Sequence, residues 1–172
     1  PKQGEIIEIP AGGIANGNGI DSLESLTLPH VFDASQGEVV GEHRGAHYFT
    51  VGQRKGLNVG GKEKPLFVLG TDVNRNLIFT GQGDDHPGLY RKGLRVLKDE
   101  IHWIREDLAM AAGERRTYKI RIRYRQPLIQ AELFFDGETM FVIFDDPQRG
   151  VAPGQFVAWY HNDELLGSGV IT

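Results

Sequence analysis

The most regular hydrophobic pattern lies in the second half of the chain, where apolar and cationic residues alternate with a period of two. Over residues 117–125, one set of alternating positions is apolar or aromatic: Tyr118, Ile120, Ile122 and Tyr124. The other set, which we call the cationic row, consists of Lys119, Arg121, Arg123 and Arg125. Because successive side chains of a strand point to opposite faces, the pattern predicts one strand with a core face and a cationic face.

Turn residues divide the rest of the second half into short apolar segments. Asp136-Gly137 separates two of them and predicts a hairpin. The predicted strands around the alternating segment are 94–104, 128–135, 138–144, 155–160 and 164–171, and residues 105–113 are expected to form a helical turn. Short strands with short connections and almost no helix favour a small closed or nearly closed β-barrel, which we place at residues 93–172.

The first half is less regular, and we assign residues 1–92 to a small α+β domain. A strand is predicted at 4–9, and residues 65–73 and 76–81 flank Asn74-Arg75 as a second hairpin. Residues 10–20 are rich in Gly and Asn, which predicts a mobile loop. The remaining predictions are a helical turn or irregular chain at 22–28, a short strand at 38–41, and a short helix or turn at 48–55.

A basic, glycine-rich segment within that first domain is the clearest candidate for binding. It combines several glycines with the cations Arg54, Lys55, Lys62 and Lys64, and its acidic residues are Glu42 and Glu63. Glycines let the backbone adopt conformations closed to other residues, and the cations supply hydrogen-bond donors. The segment is therefore expected to approach a polyanion closely.

Composition narrows the classes of protein to consider. The chain has 172 residues, 40% of them hydrophobic and 24% charged, and a formal net charge of −4, which is typical of a globular protein. There is no apolar run of membrane-spanning length and no export leader, so we expect a cytoplasmic protein without membrane or DNA partners. The chain has no cysteine, which excludes disulfides and thiolate chemistry, and its start at Pro1 suggests a fragment.

Several other interpretations of the same residues stay open. The cationic row could be a solvated face paired with Glu132 or Glu138 on a neighbouring strand. His43 and His47, together with Asp85 from the Asp84-Asp85-His86 segment, could form the metal site of a hydrolase. The barrel could instead be a non-enzymatic protein-interaction module anchored by Trp103 or Trp159. At strand spacing, the aromatic residues are expected to be core: Trp103, Tyr118, Tyr124, Phe141, Trp159 and Tyr160.

Five motifs, taken in order, resemble those of the tRNA-specific 2-thiouridylases (the MnmA/TrmU family). Gly-Glu-His-x-Gly begins at Gly41 and Tyr-Phe-Thr-Val-Gly-Gln-Arg-Lys-Gly-Leu begins at Tyr48. Arg-x-Arg-Tyr-Arg begins at Arg121, Val-Ala-Pro-Gly-Gln at Val151, and Leu-Gly-Ser-Gly-Val-Ile at Leu166. The second motif is highly specific, and together they extend over nearly the whole chain.

The resemblance implies a sulfurtransferase that activates the wobble uridine of certain tRNAs with ATP and Mg, and replaces its C2 oxygen with sulfur. The sulfur would arrive as a cysteine persulfide from a sulfur-carrier protein. The family's ATP-binding PP-loop and catalytic cysteines belong to an N-terminal domain, so this chain would bind RNA, contain no cofactor and be inactive alone. The implied architecture is mainly β, a central α+β domain followed by a six-strand-type β-barrel similar to those of translation factors.

The resemblance also implies candidate RNA-binding residues. The family's tRNA contacts correspond to Arg123, Tyr124 and Gln155, and the neighbouring Arg121 and Arg125 belong to the cationic row. Since Arg123 and Tyr124 alternate, they share a surface only if the strand twists or ends there, as nearby Pro127 permits. In the long motif, Gln53, Arg54 and Lys55 are expected either to touch RNA or to brace the catalytic domain. This chain departs from the family pattern in the 10–37 insertion, and also at Gly150 and Ser168.

Overall fold

The computed structural model describes residues 3–14 and 22–172. Its contacts separate two compact units, one formed by Pro1–Gly19 and His30–Tyr90, the other by Ile20–Pro29 and Arg91–Thr172. We call them the first and the second unit. Both are built mainly from β-strands, which confirms the predicted fold class. The domain limits 1–92 and 93–172 stay a prediction.

The first unit contains a four-stranded mixed sheet. Its strands are β1 (Gly4–Glu8), β2 (Glu38–His43), β3 (Leu66–Asp72) and β4 (Leu77–Gln82), in the spatial order β2-β1-β4-β3. β1 runs parallel to β4, and the other pairs are antiparallel. Single turns of 3-10 helix lie at Ala11–Gly13, Ala34–Gln36, Ala46–Tyr48 and Pro87–Leu89.

Both faces of this sheet are covered by apolar side chains. One face packs Ile7 and Phe79 with Phe32, and the other packs Ile6 and Ile78 against elements of the basic, glycine-rich segment. Burial on both faces explains why Leu66–Leu69 are consecutively apolar and buried and show no alternation.

The second unit is a single curled antiparallel sheet with one short helix. It has seven strands, more than the sequence predicts, in the spatial order β5-β9-β8-β7-β10-β11-β6. The strands are β5 (Tyr90–Leu97), β6 (Ile101–Trp103), β7 (Arg115–Arg121), β8 (Ile129–Phe135), β9 (Thr139–Arg149), β10 (Phe156–His161) and β11 (Glu164–Val170). The helix is α1 (Leu23–Thr27), and further 3-10 turns lie at Lys98–Glu100 and Glu106–Leu108.

The two edge strands of this sheet, β5 and β6, are neighbours in the chain. Only the turn Lys98–Glu100 joins them, so the sheet has to curl until its edges approach each other. Beyond β11, the backbone N–H of Thr172 donates to the carbonyl of Arg95 in β5 at 3.0 Å. The interior is filled by a continuous apolar cluster around the fully buried Trp159, as expected for a small barrel.

The helix α1 belongs to the second unit, although its residues lie within the predicted insertion. Ser22 caps its first turn, which resolves the prediction at 22–28 in favour of a helix. At its last turn, Arg91 Nη2 donates to the carbonyl of Thr27 at 2.6 Å and Arg95 Nη2 to that of Glu24 at 3.2 Å. Burial, assisted by the nearby Arg95, lowers the pKa of Arg91 to about 10. Of the predicted mobile loop, residues 15–20 lie outside the described residues.

None of the described helices is long and apolar enough to cross a membrane.

The close packing of β11 predicts the effect of adding one methyl group. A Cβ at Gly167 would lie 2.7 Å from the carbonyl oxygen of His102 and 2.8 Å from Nε1 of the buried Trp159. Because neither neighbour is free to move, Gly167→Ala should lower the free energy of unfolding by about 1 to 3 kcal/mol. Urea denaturation measures this change, with Ser168→Ala as the control expected to stay close to the parent. Equal stability of Gly167→Ala and the parent would contradict it.

Candidate nucleic-acid interface

The strand that carries the cationic row ends at Arg121, so the prediction of one strand over 117–125 is wrong in its last part. Gln126 ends it, because its side-chain oxygen accepts from the backbone N–H of Ile122 at 3.2 Å. The backbone N–H of Gln126 also donates to the carbonyl of Arg123 at 3.1 Å, which closes a turn. Tyr124 is consequently 89% exposed, and its assignment to the core face is wrong. With the strand ended, Arg123 and Tyr124 are both exposed.

Strand pairing brings a second loop to the same end of the barrel. β7 pairs antiparallel with β10, with Arg121 opposite Ala158. The residues that follow β7 and those that precede β10 therefore lie at one end, which we call the arginine end: Arg121, Arg123, Tyr124, Arg125 and Gln155. The structure thus gathers all the RNA-binding residues predicted for the barrel.

Contacts with backbone carbonyls position two of these arginines. Arg123 Nη2 donates to the carbonyl of Arg149 at 2.6 Å. Arg121 Nη1 donates to the carbonyl of Tyr124 at 3.3 Å, and its guanidinium lies 5.6 Å from the centre of the Tyr160 ring. Carbonyl and ring contacts do not neutralise the positive charge of the two guanidinium groups, whereas an ion pair with a carboxylate would neutralise it.

Gln155 organises the turn in which it lies. Its side-chain oxygen accepts from the backbone N–H of Ala152 at 3.2 Å, and its backbone carbonyl accepts from Ile171 at 2.8 Å. The carboxamide oxygen is therefore engaged within the loop. No partner for the carboxamide NH2 group is found in the described part of the chain, which leaves two donors for a ligand.

The carboxylates proposed as partners of the cationic row bind other cations. Glu132 Oε1 contacts Arg115 Nη1 at 2.8 Å, and Glu138 Oε1 lies 3.7 Å from Lys98 Nζ. Across residues 3–14 and 22–172, no member of the cationic row forms an ion pair. The interpretation of the row as a paired, solvated face is therefore wrong.

In the first unit, Gln53 organises the loop of the long motif. Its side-chain oxygen accepts from the backbone N–H of Thr50 at 3.1 Å, and its side-chain nitrogen donates to the carbonyl of Lys55 at 2.8 Å. Gly52 and Gln53 also exchange backbone hydrogen bonds with Val68 in β3, at 2.7 and 2.9 Å. The predicted helix or turn at 48–55 is thus a braced loop that follows the 3-10 turn Ala46–Tyr48.

The four named cations of the basic, glycine-rich segment fall into two classes. Lys62 Nζ lies 2.6 Å from Glu8 Oε2, and this contact raises the pKa of Lys62. Burial alone would raise the pKa of Glu8, but its hydrogen bonds with Gln82 and Lys62 hold it below the ordinary value. Lys64 Nζ lies 4.0 Å from Asp85. Arg54 and Lys55 are exposed and have no partner among residues 3–14 and 22–172.

Two histidines of the predicted metal site form hydrogen bonds with backbone N–H groups instead. His43 Nδ1 accepts from Gly45 N–H at 3.0 Å, and His86 Nδ1 accepts from Gly88 N–H at 3.0 Å. His47 packs against the ring of Tyr48, with 4.0 Å between ring centres. Among the described residues, no three His, Cys, Asp or Glu side chains are grouped as metal ligands.

The predicted anchors of a protein-interaction module are not available as anchors. Trp159 is fully buried, and the half-buried Trp103 packs edge-on against it, with 5.3 Å between ring centres. The exposed aromatic residue of β10 is instead Phe156, 66% exposed, which sequence reasoning missed. Its signal was available, because Val157 and Trp159 are core residues and strand alternation then places Phe156 outside.

Both halves of the chain match known protein families. Residues 92–171 match the family model of the aminomethyltransferase beta-barrel domain, and residues 28–82 match that of the tRNA methyl transferase PRC-barrel domain. Proteins named tRNA-specific 2-thiouridylase are 54% identical in Christiangramia forsetii and 49% in Flavobacterium johnsoniae, over 99% and 100% of this chain. One from Chlamydia trachomatis is 42% identical over 82% of the chain. The chain spans 45%, 45% and 38% of these relatives' own lengths.

Gly150 allows Arg123 to take its observed position, and this predicts a difference between two glycines. Both Gly150 and Gly154 have positive φ, at 67° and 84°, so alanine costs backbone energy at either position. A Cβ at Gly150 would lie 2.0 Å from Arg123 Nη2, whereas a Cβ at Gly154 meets no atom within 4 Å. Gly150→Ala should therefore lower the free energy of unfolding by about 1 kcal/mol more than Gly154→Ala, because it also breaks the Arg123 hydrogen bond. Urea denaturation of both variants measures the difference, and equal losses would contradict the prediction.

Proposed function

The chain belongs to the family of tRNA-specific 2-thiouridylases, and from this membership we propose that it is a tRNA-binding part of an enzyme that thiolates the wobble uridine. The proposed enzyme acts in the cytoplasm, uses ATP with Mg, and receives persulfide sulfur from a carrier protein. Because this chain has no cysteine, it cannot supply the thiols for that chemistry. Its own contribution is to hold the RNA.

The observation that carries this proposal is the concentration of unpaired cations at the arginine end. Arg123 and Arg125 are exposed, Arg121 is half-buried, and no carboxylate of the described residues neutralises them. Cations of this kind attract phosphates and release their counterions on binding, so affinity depends on salt. Tyr124 adds an exposed ring beside them, and exposed aromatic rings stack with bases of single-stranded RNA.

The loop of Arg54 and Lys55 supports a second contact with the same RNA. Gln53 and the pairing with Val68 hold its backbone, so the two adjacent cations are presented on a braced loop. A braced loop loses less conformational entropy when it binds than a flexible one does. We assign this loop to RNA binding, with contact to a catalytic domain as the alternative.

Replacing Arg123 tests the proposal at the arginine end. Arg123→Ala should weaken tRNA binding by about 1 to 2 kcal/mol and reduce the slope of log affinity against log salt by about one, because one phosphate contact is lost. Filter binding with labelled tRNA over a salt titration measures both quantities. Arg115→Ala is the matched control, since Arg115 lies on β7, the strand that precedes Arg123, but is neutralised by Glu132.

Two outcomes would contradict the proposal at different levels. If the parent chain has no affinity for tRNA even at low salt, RNA binding by this chain is wrong. If the parent binds but Arg123→Ala leaves the salt slope unchanged, Arg123 lies away from the phosphates.

A pair of double variants tests the loop of the first unit. Arg54→Ala with Lys55→Ala should weaken tRNA binding and reduce the salt slope by about two, because both cations are unpaired. Lys62→Ala with Lys64→Ala removes the same charge, but these lysines contact Glu8 and Asp85, so a smaller effect is expected. Circular dichroism checks that each variant is folded. If the two double variants lose equal tRNA affinity, the net charge governs binding and not this particular loop. If Arg54→Ala with Lys55→Ala leaves the affinity unchanged, the loop contacts a catalytic domain instead.

A further inference from the structure

Phe156 is an apolar side chain exposed on the outer face of the barrel. It begins β10, whose alternate residues Val157 and Trp159 point into the core and are fully buried. Phe156 therefore shares the outer face with Ala158 and Tyr160, and 66% of its surface is exposed. An exposed phenyl ring adds no stability to the barrel comparable to that of a buried one, so the fold does not account for it.

Phe156 lies at the arginine end of the barrel. In the pairing of β7 with β10, Arg121 lies opposite Ala158 and Lys119 opposite Tyr160. Phe156 precedes Ala158 by two residues, so it lies at the end of this pairing where β7 stops after Arg121 and the turn that carries Arg123 begins. Phe156 also directly follows Gln155, whose carboxamide NH2 group is available for a ligand. The ring thus belongs to the same end of the barrel as Gln155 and the arginines.

A ligand for this surface has to offer a flat apolar face and negative charge together. An unpaired nucleotide does so, because its base stacks on an aromatic ring while the flanking phosphates contact arginines. A duplex does not, since its bases are already stacked on one another. An apolar protein surface would cover the ring but leave the cationic row without counter-charges, at a large cost in desolvation.

We propose that Phe156 stacks against an unpaired base of the bound RNA, with the phosphates on either side held by Arg121 and Arg123. This inference rests on the proposed function and adds to it a preference for unpaired nucleotides at the barrel. It assigns different tasks to adjacent side chains, since the arginines carry the salt dependence of binding and Phe156 carries the selection of single-stranded RNA.

The test uses the 172-residue chain, a short single-stranded RNA, and a blunt-ended RNA duplex with the same number of phosphates. Phe156→Ala should weaken binding of the single strand roughly tenfold, because base stacking on one aromatic ring is lost. Binding of the duplex and both salt slopes should stay unchanged. Phe156→Tyr should retain the parental affinity, since it keeps the aromatic face. Ile104→Ala is the matched control, because Ile104 is 51% exposed in the same unit but follows β6 at the other end of the barrel.

Each alternative outcome overturns the inference in a recognisable way. Unchanged single-strand affinity in Phe156→Ala excludes stacking, and equal losses for single strand and duplex exclude selection of unpaired bases. If Phe156→Ala abolishes self-association in sedimentation but leaves RNA binding intact, the ring belongs to a protein interface. In all three cases a parent that still binds tRNA, and loses affinity in Arg123→Ala, leaves the proposed function standing.

Discussion

The curling of the seven-stranded sheet is the constraint on which the second unit depends. The edges β5 and β6 are joined by one 3-10 turn, so the sheet cannot remain open, and the hydrogen bond from Thr172 to Arg95 links the end of the chain to β5. Within the curled sheet, β11 packs very closely against His102 and Trp159, which glycine permits at Gly167. The curled sheet also pairs β7 with β10, which are separated in the chain by β8 and β9. This non-local pairing assembles the arginine end from two loops.

The distribution of ion pairs matters more for binding than the net charge of the chain. A formal charge of −4 suggests poor affinity for a polyanion, but the carboxylates engage particular cations. Asp107 and Glu164 both contact Arg105, and Glu114 contacts Arg116 on the same strand as the cationic row. Among the described residues, the cations without an ion pair include those of the arginine end and of the loop of Arg54 and Lys55. The electrostatic potential at the surface is therefore most positive near these unpaired cations, and phosphates are attracted there.

Period-two alternation and turn residues predicted much of the barrel, because both are local signals. The hairpin of β8 and β9 around Asp136-Gly137 is an example. The end of β7 escaped prediction because alternation continues through Ile122 and Tyr124, whereas a hydrogen bond from the backbone N–H of Ile122 to the Gln126 side chain stops the strand. The gathering of Gln155 and Arg123 at one end was not predicted, since pairing between distant strands has no local signature; the resemblance implied both residues only as tRNA contacts. The ion pair of Lys62 with Glu8 was missed for the same reason.

Glycine placement, more than the number of cations, decides where positive charge is presented in each unit. Around Gln53, Gly52 and Gly56 adopt positive φ values of 86° and 90°, which lets the loop fold back so that one side chain bonds to both of its arms. The charges of Arg54 and Lys55 then extend from a backbone that is already ordered. At the barrel, the missing side chain of Gly150 leaves the space that the Arg123 guanidinium occupies. Gly52 and Gly56 thus allow the backbone conformation of the loop, and Gly150 leaves space for a side chain; a larger residue would disfavour either arrangement. The positions of these charges therefore depend on backbone geometry, and an equally basic sequence without the glycines would place its charges elsewhere.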